Sequence, residues 1–215
     1  MRLRLAALAL TIATTRLGAQ TVVASTFGPA PGYTPGNGYF IANGAAELIS
    51  SVASPFTASA GGTLSSVRVA TSQLLTSAVD DVLHVGLYSG SDMNSATLLE
   101  EFTGYPPVYP GGIQAFSSVA HPTIAAGQSY FVALSVVDPD FTIYQWLFSS
   151  SGSTGTVWFR GGSGTWSSDP ASLLPAFDVS VNATSTPEPT TVALLGGGLL
   201  ALGAAARRRR RGAQL

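Results

Sequence analysis

Between residues 20 and 181 the apolar side chains recur with period two in short runs. Clusters of Gly, Pro, Ser and Asn interrupt them before a helical period can establish itself. Residues 63–71 (TLSSVRVAT) place Val67 and Val69 on one face, Ser66 and Arg68 on the other. Residues 82–88 (VLHVGLY) set Leu83, Val85 and Leu87 against His84 and Gly86. Residues 129–137 (SYFVALSVV) are apolar on nearly both faces, the pattern of a central strand covered on both sides. Further extended runs are read at 21–27, 39–42, 113–119, 142–148, 156–160 and 176–181. Residues 28–38 alternate φ-locked prolines with glycines and read as irregular chain, while 45–52 reads as a two-turn helix or equally as a strand. About eight short strands with turn signals between them predict an all-β fold, a jelly-roll-like β-sandwich spanning residues 20–181. No repeat of fixed period points to a solenoid or propeller.

Charge separates the two ends of the chain from its body. Three of the ten basic residues, all arginine, precede Gln20 and five follow Thr186, leaving Arg68 and Arg160 between them. The same span carries ten carboxylates, so the body is near −8. Nucleic-acid binding needs clustered basic side chains to displace counterions, and this body has none. The absence of cysteine excludes a disulfide framework and thiol chemistry.

Residues 1–19 have the layout of a secretory signal peptide. Arg2 and Arg4 lead an apolar run at 5–14 that is too short to span a bilayer, and Ala19 offers a cleavage point. Export machinery and a signal peptidase are the partners this implies. At the other end, residues 182–186 (NATST) read as a linker. Pro187, Glu188 and Pro189 follow, then an uncharged run at 190–206, then Arg207, Arg208, Arg209, Arg210 and Arg211. As a transmembrane helix the run would reach roughly 25 Å, a little short of a ~30 Å hydrocarbon core, and flanking arginines can snorkel to extend the fit. Arginines on the far side favour the cytoplasmic face and put the body outside. A permanent single-span anchor is the simpler reading of the same segment.

The order and spacing of Pro187-Glu188-Pro189, the apolar run and the arginine cluster, with an export signal at the other end, resemble the PEP-CTERM sorting signal of Gram-negative bacteria. The resemblance covers residues 187–215. It implies recognition by an exosortase, an inner-membrane-anchored intermediate, and delivery to the cell surface or extracellular matrix. Such proteins accompany exopolysaccharide and biofilm systems. The body itself resembles the choice-of-anchor domains, β-sandwich modules that precede bacterial surface anchors. That likeness rests on residues 56–57 and 61–67, 85–89 and 126–134, with Trp146 and residues 157–159 placed to match. It brings no catalytic residues.

Candidate chemistry in the body is sparse. His84 and His121 are too few and too far apart for a motif, and no G-x-S-x-G elbow or S-x-x-K is present. Asp80-Asp81 and Asp138-Pro139-Asp140 lie at expected strand ends, where calcium ligands gather. Their spacing is not that of a calcium loop, so solvated turn acids are the simpler reading, with Asp138 and Asp140 kept as weak Ca²⁺ candidates. Tyr105 and Tyr109 in a Tyr/Pro loop, and Trp166 among Gly and Ser, are candidate carbohydrate-binding surfaces; Trp146 and Trp158 read as core. Asn182-Ala183-Thr184 forms an N-glycosylation sequon that is accidental in a bacterial chain. The expectation is a non-enzymatic surface or matrix protein without a cofactor. A carbohydrate-binding module is the alternative, and a secreted hydrolase ranks last for want of a catalytic constellation.

Overall fold

The structure, a computed structural model, describes residues 20–42, 49–75, 82–136, 142–162, 164–183 and 198. The chain divides into two units, Met1–Ala183 and Thr184–Leu215. The expected signal peptide, the acids Asp80, Asp81, Asp138 and Asp140, the Pro-Glu-Pro motif, the apolar run and the arginine cluster all lie outside the described residues, Gly198 of the run excepted. Among the described residues, no helix is long and apolar enough to cross a membrane.

The first unit is all-β. Its strands are β1 (Gln20–Ser25), β2 (Tyr33–Ala42), β3 (Ile49–Thr57), β4 (Gly62–Leu75), β5 (Leu83–Ser89), β6 (Thr97–Gly104), β7 (Gly112–Ser117), β8 (Thr123–Ile124), β9 (Ser129–Val136), β10 (Ile143–Ser149), β11 (Thr154–Gly161), β12 (Ser167–Leu173) and β13 (Phe177–Asn182). They form two antiparallel sheets. A seven-stranded sheet runs β1-β13-β4-β10-β2, with β7 and β8 also paired to β4; a six-stranded sheet runs β12-β11-β3-β9-β5-β6. β4 is the organising strand of the first, pairing with β13 along residues 63–69 and with β10 along residues 71–75.

One core draws on both sheets. Val67, Val69, Trp146 and Val179 from the seven-stranded sheet and Val52, Val85, Val132 and Leu134 from the six-stranded sheet belong to one buried cluster. Aromatic rings carry the contact across the layers. Tyr130 stacks on Phe56 with ring centroids 5.5 Å apart, Phe56 meets Phe177 at 5.9 Å, and Phe177 meets Trp146 at 5.9 Å. The Trp146 ring is fully buried, and its Nε1–H is satisfied by the Ala176 carbonyl at 3.1 Å. β9 lies between β3 and β5 and buries both faces: Tyr130, Val132, Leu134 and Val136 face the shared core, while Phe131 and Ala133 join a second cluster with Ala53 and Met93.

The structure corrects one local reading and decides another. Residues 33–38 are not irregular but form the start of β2, the last strand on its side of the sheet. An edge strand tolerates Pro35, which has no N–H to donate, and the pairing with β10 shifts register between Leu147 and Ser149 beside it. Gly38 is required there, because a Cβ would stand 2.2 Å from the Trp146 carbonyl oxygen. Residues 49–52, read as a helix or equally as a strand, are strand, part of β3 in the centre of the six-stranded sheet.

Candidate functional site

The first and the last described strands of the unit meet. Gln20 at the start of β1 pairs with Asn182 at the end of β13, and Asn182 pairs in turn with Thr63 on β4. Among the described residues, strand pairing thus runs from Gln20, the residue after Ala19, to Asn182, three residues before Ser185.

The candidate aromatics lie in connections fastened to two different sheets. Tyr105 and Tyr109 are 60% and 58% exposed in the connection from β6 to β7, flanking buried Pro106. That connection is fastened to the seven-stranded sheet by the Gln73 amide, which donates to the Pro107 carbonyl, and by the Tyr109 amide, which donates to the Gln73 carbonyl. The Tyr109 ring lies over Gly36, whose φ of +68° and lack of a side chain let it approach. Trp166 lies immediately before β12 of the other sheet. It is half-buried against the cluster of Phe131, Met93 and Trp158, and the Arg160 guanidinium carbon stands 4.9 Å from its ring centroid. Asn94 holds its backbone from both sides, accepting from the Trp166 amide at 2.9 Å and donating to its carbonyl at 3.1 Å. One face of the Trp166 ring is therefore already covered by a cation.

The histidines do not converge. His84 Nδ1 lies 3.3 Å from Glu101 Oε1 on β5 and β6. His121 Nδ1 lies 3.1 Å from the Leu64 carbonyl, in a loop where its own φ is +49°. Among the described residues, no group of three His, Cys, Asp or Glu side chains could hold a metal ion.

Two carboxylates are held far more tightly than their place in the sequence suggests. Glu100 is buried on β6 and accepts from the Ser118 hydroxyl at 2.6 Å and from the Val119 and Ala120 amides at 2.6 and 3.0 Å. Burial pushes its carboxyl up. The Ser118, Ala120 and Val119 donors, with His121 nearby, outweigh that and leave it below the ordinary glutamate range. Asp178, on β13, is fully enclosed and takes hydrogen bonds from Nε and Nη2 of Arg68, its cross-strand neighbour on β4. The Asp178 carboxylate holds the Arg68 guanidinium above its usual range. The Arg68 guanidinium also lies 5.6 Å from the Phe27 ring centroid. The sequence marks Arg68 as a lone cation on a polar strand face; its partner is set by a β4–β13 register that sequence alone does not supply.

Around Arg68 the outer face of the seven-stranded sheet is concave. Two cavities of about 330 and 370 Å3 adjoin there, both lined by Val22 and Arg68. One adds Phe27, Pro31 and Ile113, and the other adds Gln20, Ser66 and Ser180.

Comparison with known proteins places only the tail. Neither the curated proteins nor the solved structures include a match to this chain. Residues 185–211 match the PEP-CTERM protein-sorting motif, a segment well under half of the 215-residue chain. The chain therefore ends in a PEP-CTERM sorting motif, which implies export, a membrane-anchored intermediate and an exosortase as its processing partner.

Proposed function

We propose that the exported unit is a β-sandwich module of the choice-of-anchor kind. It is displayed at the cell surface or released into the extracellular matrix, and has a structural or interaction role alongside exopolysaccharide. It works without catalysis and without a cofactor. One observation carries this reading: the folded unit ends where the sorting motif begins. β13 closes at Asn182 by pairing with β1 and β4, and the motif starts at Ser185. The strands β1 and β13 are paired with each other inside the first unit, as those of a cargo must be if the segment that delivers it is to be processed. Removal of residues 1–19 by signal peptidase would leave every strand pair among the described residues intact.

Deleting residues 187–215 tests the reading. The truncated protein is expected in the periplasm or the medium, without the C-terminal processing seen in the full chain. Unchanged localisation and unchanged processing of the remaining chain would sink it. A carbohydrate-binding role is the second reading, favoured by the exposure of Tyr105 and Tyr109 and by the groove at Arg68.

A further inference from the structure

We propose that the groove around Arg68 on the outer face of the seven-stranded sheet binds a neutral saccharide. This inference rests on the surface-module reading and names the ligand class that such a module would take.

The groove has the three things a sugar ring asks for. It has apolar surface for the ring's C–H face: Val22 and Ile113 are 50% and 43% exposed, with Phe27 beside them. It has polar groups in register for the ring's hydroxyls. Ser180 faces Ser66, and Asp178 faces Arg68 two residues along the same pair of strands, so a hydroxyl row and a guanidinium row lie on one face about 7 Å apart. Gln20 extends the hydroxyl row, its Nε2 donating to Ser66 Oγ at 3.0 Å and Ser65 Oγ at 3.2 Å.

It also has a donor fixed before any ligand arrives. Asp178 occupies Nε and Nη2 of Arg68, and the Phe27 ring lies against the guanidinium. Nη1 has no hydrogen-bond partner among the described residues, and Arg68 lines both cavities while its side chain is 46% exposed. A planar fork held this way loses little rotamer freedom on binding, which is the largest entropic cost a long polar side chain brings to an interface.

Charge decides between neutral and acidic saccharides. The one cation of the groove is already neutralised by an enclosed carboxylate, so the site presents donors without net positive charge. The body around it is near −8 and repels a polyanion at long range. A neutral chain meets no such barrier.

The test uses the full-length chain in detergent, applied to immobilised neutral glucans, mannans and galactans beside uronate polymers of matched length. At least one neutral polymer should bind. Val22→Glu, a change at an exposed position shared by both cavities, should weaken that binding at least tenfold with an unchanged thermal midpoint. The paired change Arg68→Gln with Asp178→Asn, which removes the fork and strands no charge, should do the same. Trp166→Ala should leave it unaltered. Loss of binding with Trp166→Ala but not with Val22→Glu would place the site on the other sheet and overturn the inference. Binding confined to uronate polymers, or to no polymer at all, would also overturn it. The surface-module reading fails on a different measurement, the localisation of the chain lacking residues 187–215.

Discussion

The two sheets each carry one arginine on an outward face, and they hold it by different means. On the seven-stranded sheet Arg68 is tied to Asp178 across the β4–β13 pair, with the carboxylate enclosed and the guanidinium half in solvent. On the six-stranded sheet Arg160 has no carboxylate within salt-bridge distance among the described residues. It lies over Trp166, donates from Nη2 to Ser51 Oγ at 3.1 Å, and leaves its Nε buried without a hydrogen-bond partner among the described residues. The first arrangement fixes a donor beside open cavities. The second uses the cation as a cover for an aromatic that packs on Phe131 and Trp158. The same residue type thus makes one face a candidate recognition surface and the other a sealed one, and what differs is whether a neighbouring strand supplies an acid in register.

This contrast can be broken experimentally. Removing the cation from the first face strands an enclosed carboxylate, so Arg68→Met should cost about 3 kcal/mol in urea unfolding, and equal losses for Arg68→Met and Arg160→Met would refute the distinction. A smaller effect is expected at Glu100, which ties the edge strand β6 of one sheet to the loop following β7 of the other. Glu100→Gln should lose about 2 kcal/mol at neutral pH, the range for hydrogen bonds to a charged group.

The sign of its pH dependence follows from the direction of the shift. Because folding lowers the Glu100 carboxyl, its contribution is fully present above the unfolded glutamate value and disappears as pH falls through the folded one. Unfolding midpoints measured from neutral to acid pH should therefore converge for wild type and Glu100→Gln; a gap that widens on acidification would reverse the assignment. Removing the aromatic from the second face is expected to cost less again. Trp166→Leu keeps most of the apolar contact and gives up the cation–ring interaction, about 1 kcal/mol, read as a thermal midpoint shift of a few degrees.

How far these features were legible depends on how local they are. β4, β5 and β9 are plain in the sequence because their burial alternates or is continuous, and both patterns survive in a single strand. β12 is not, since Ser167–Leu173 is an edge strand, exposed along most of its length and interrupted by Pro170. β6 is hidden for a different reason. Its buried positions are Glu100 and Phe102, so a carboxylate stands where the pattern calls for an apolar side chain. The residue that obscures the strand is the one that fastens the loop after β7. Trp166 was legible as a special residue but not as a covered one, because Arg160 and Asn94 reach it from β11 and from the β5–β6 connection.

Two properties are legible in the residues alone: the all-β class of the body and the sorting motif that marks the chain for export. Period-two alternation follows from where successive Cβ atoms point in an extended backbone, so it specifies strands without reference to anything distant. The PEP-CTERM motif at residues 185–211 is likewise contiguous. Which polar side chains meet is a property of the fold. Arg68 and Asp178 are 110 residues apart, and Glu100 finds its donors 18 to 20 residues on. Those meetings depend on strand register, and register is set by which apolar faces close over the shared core.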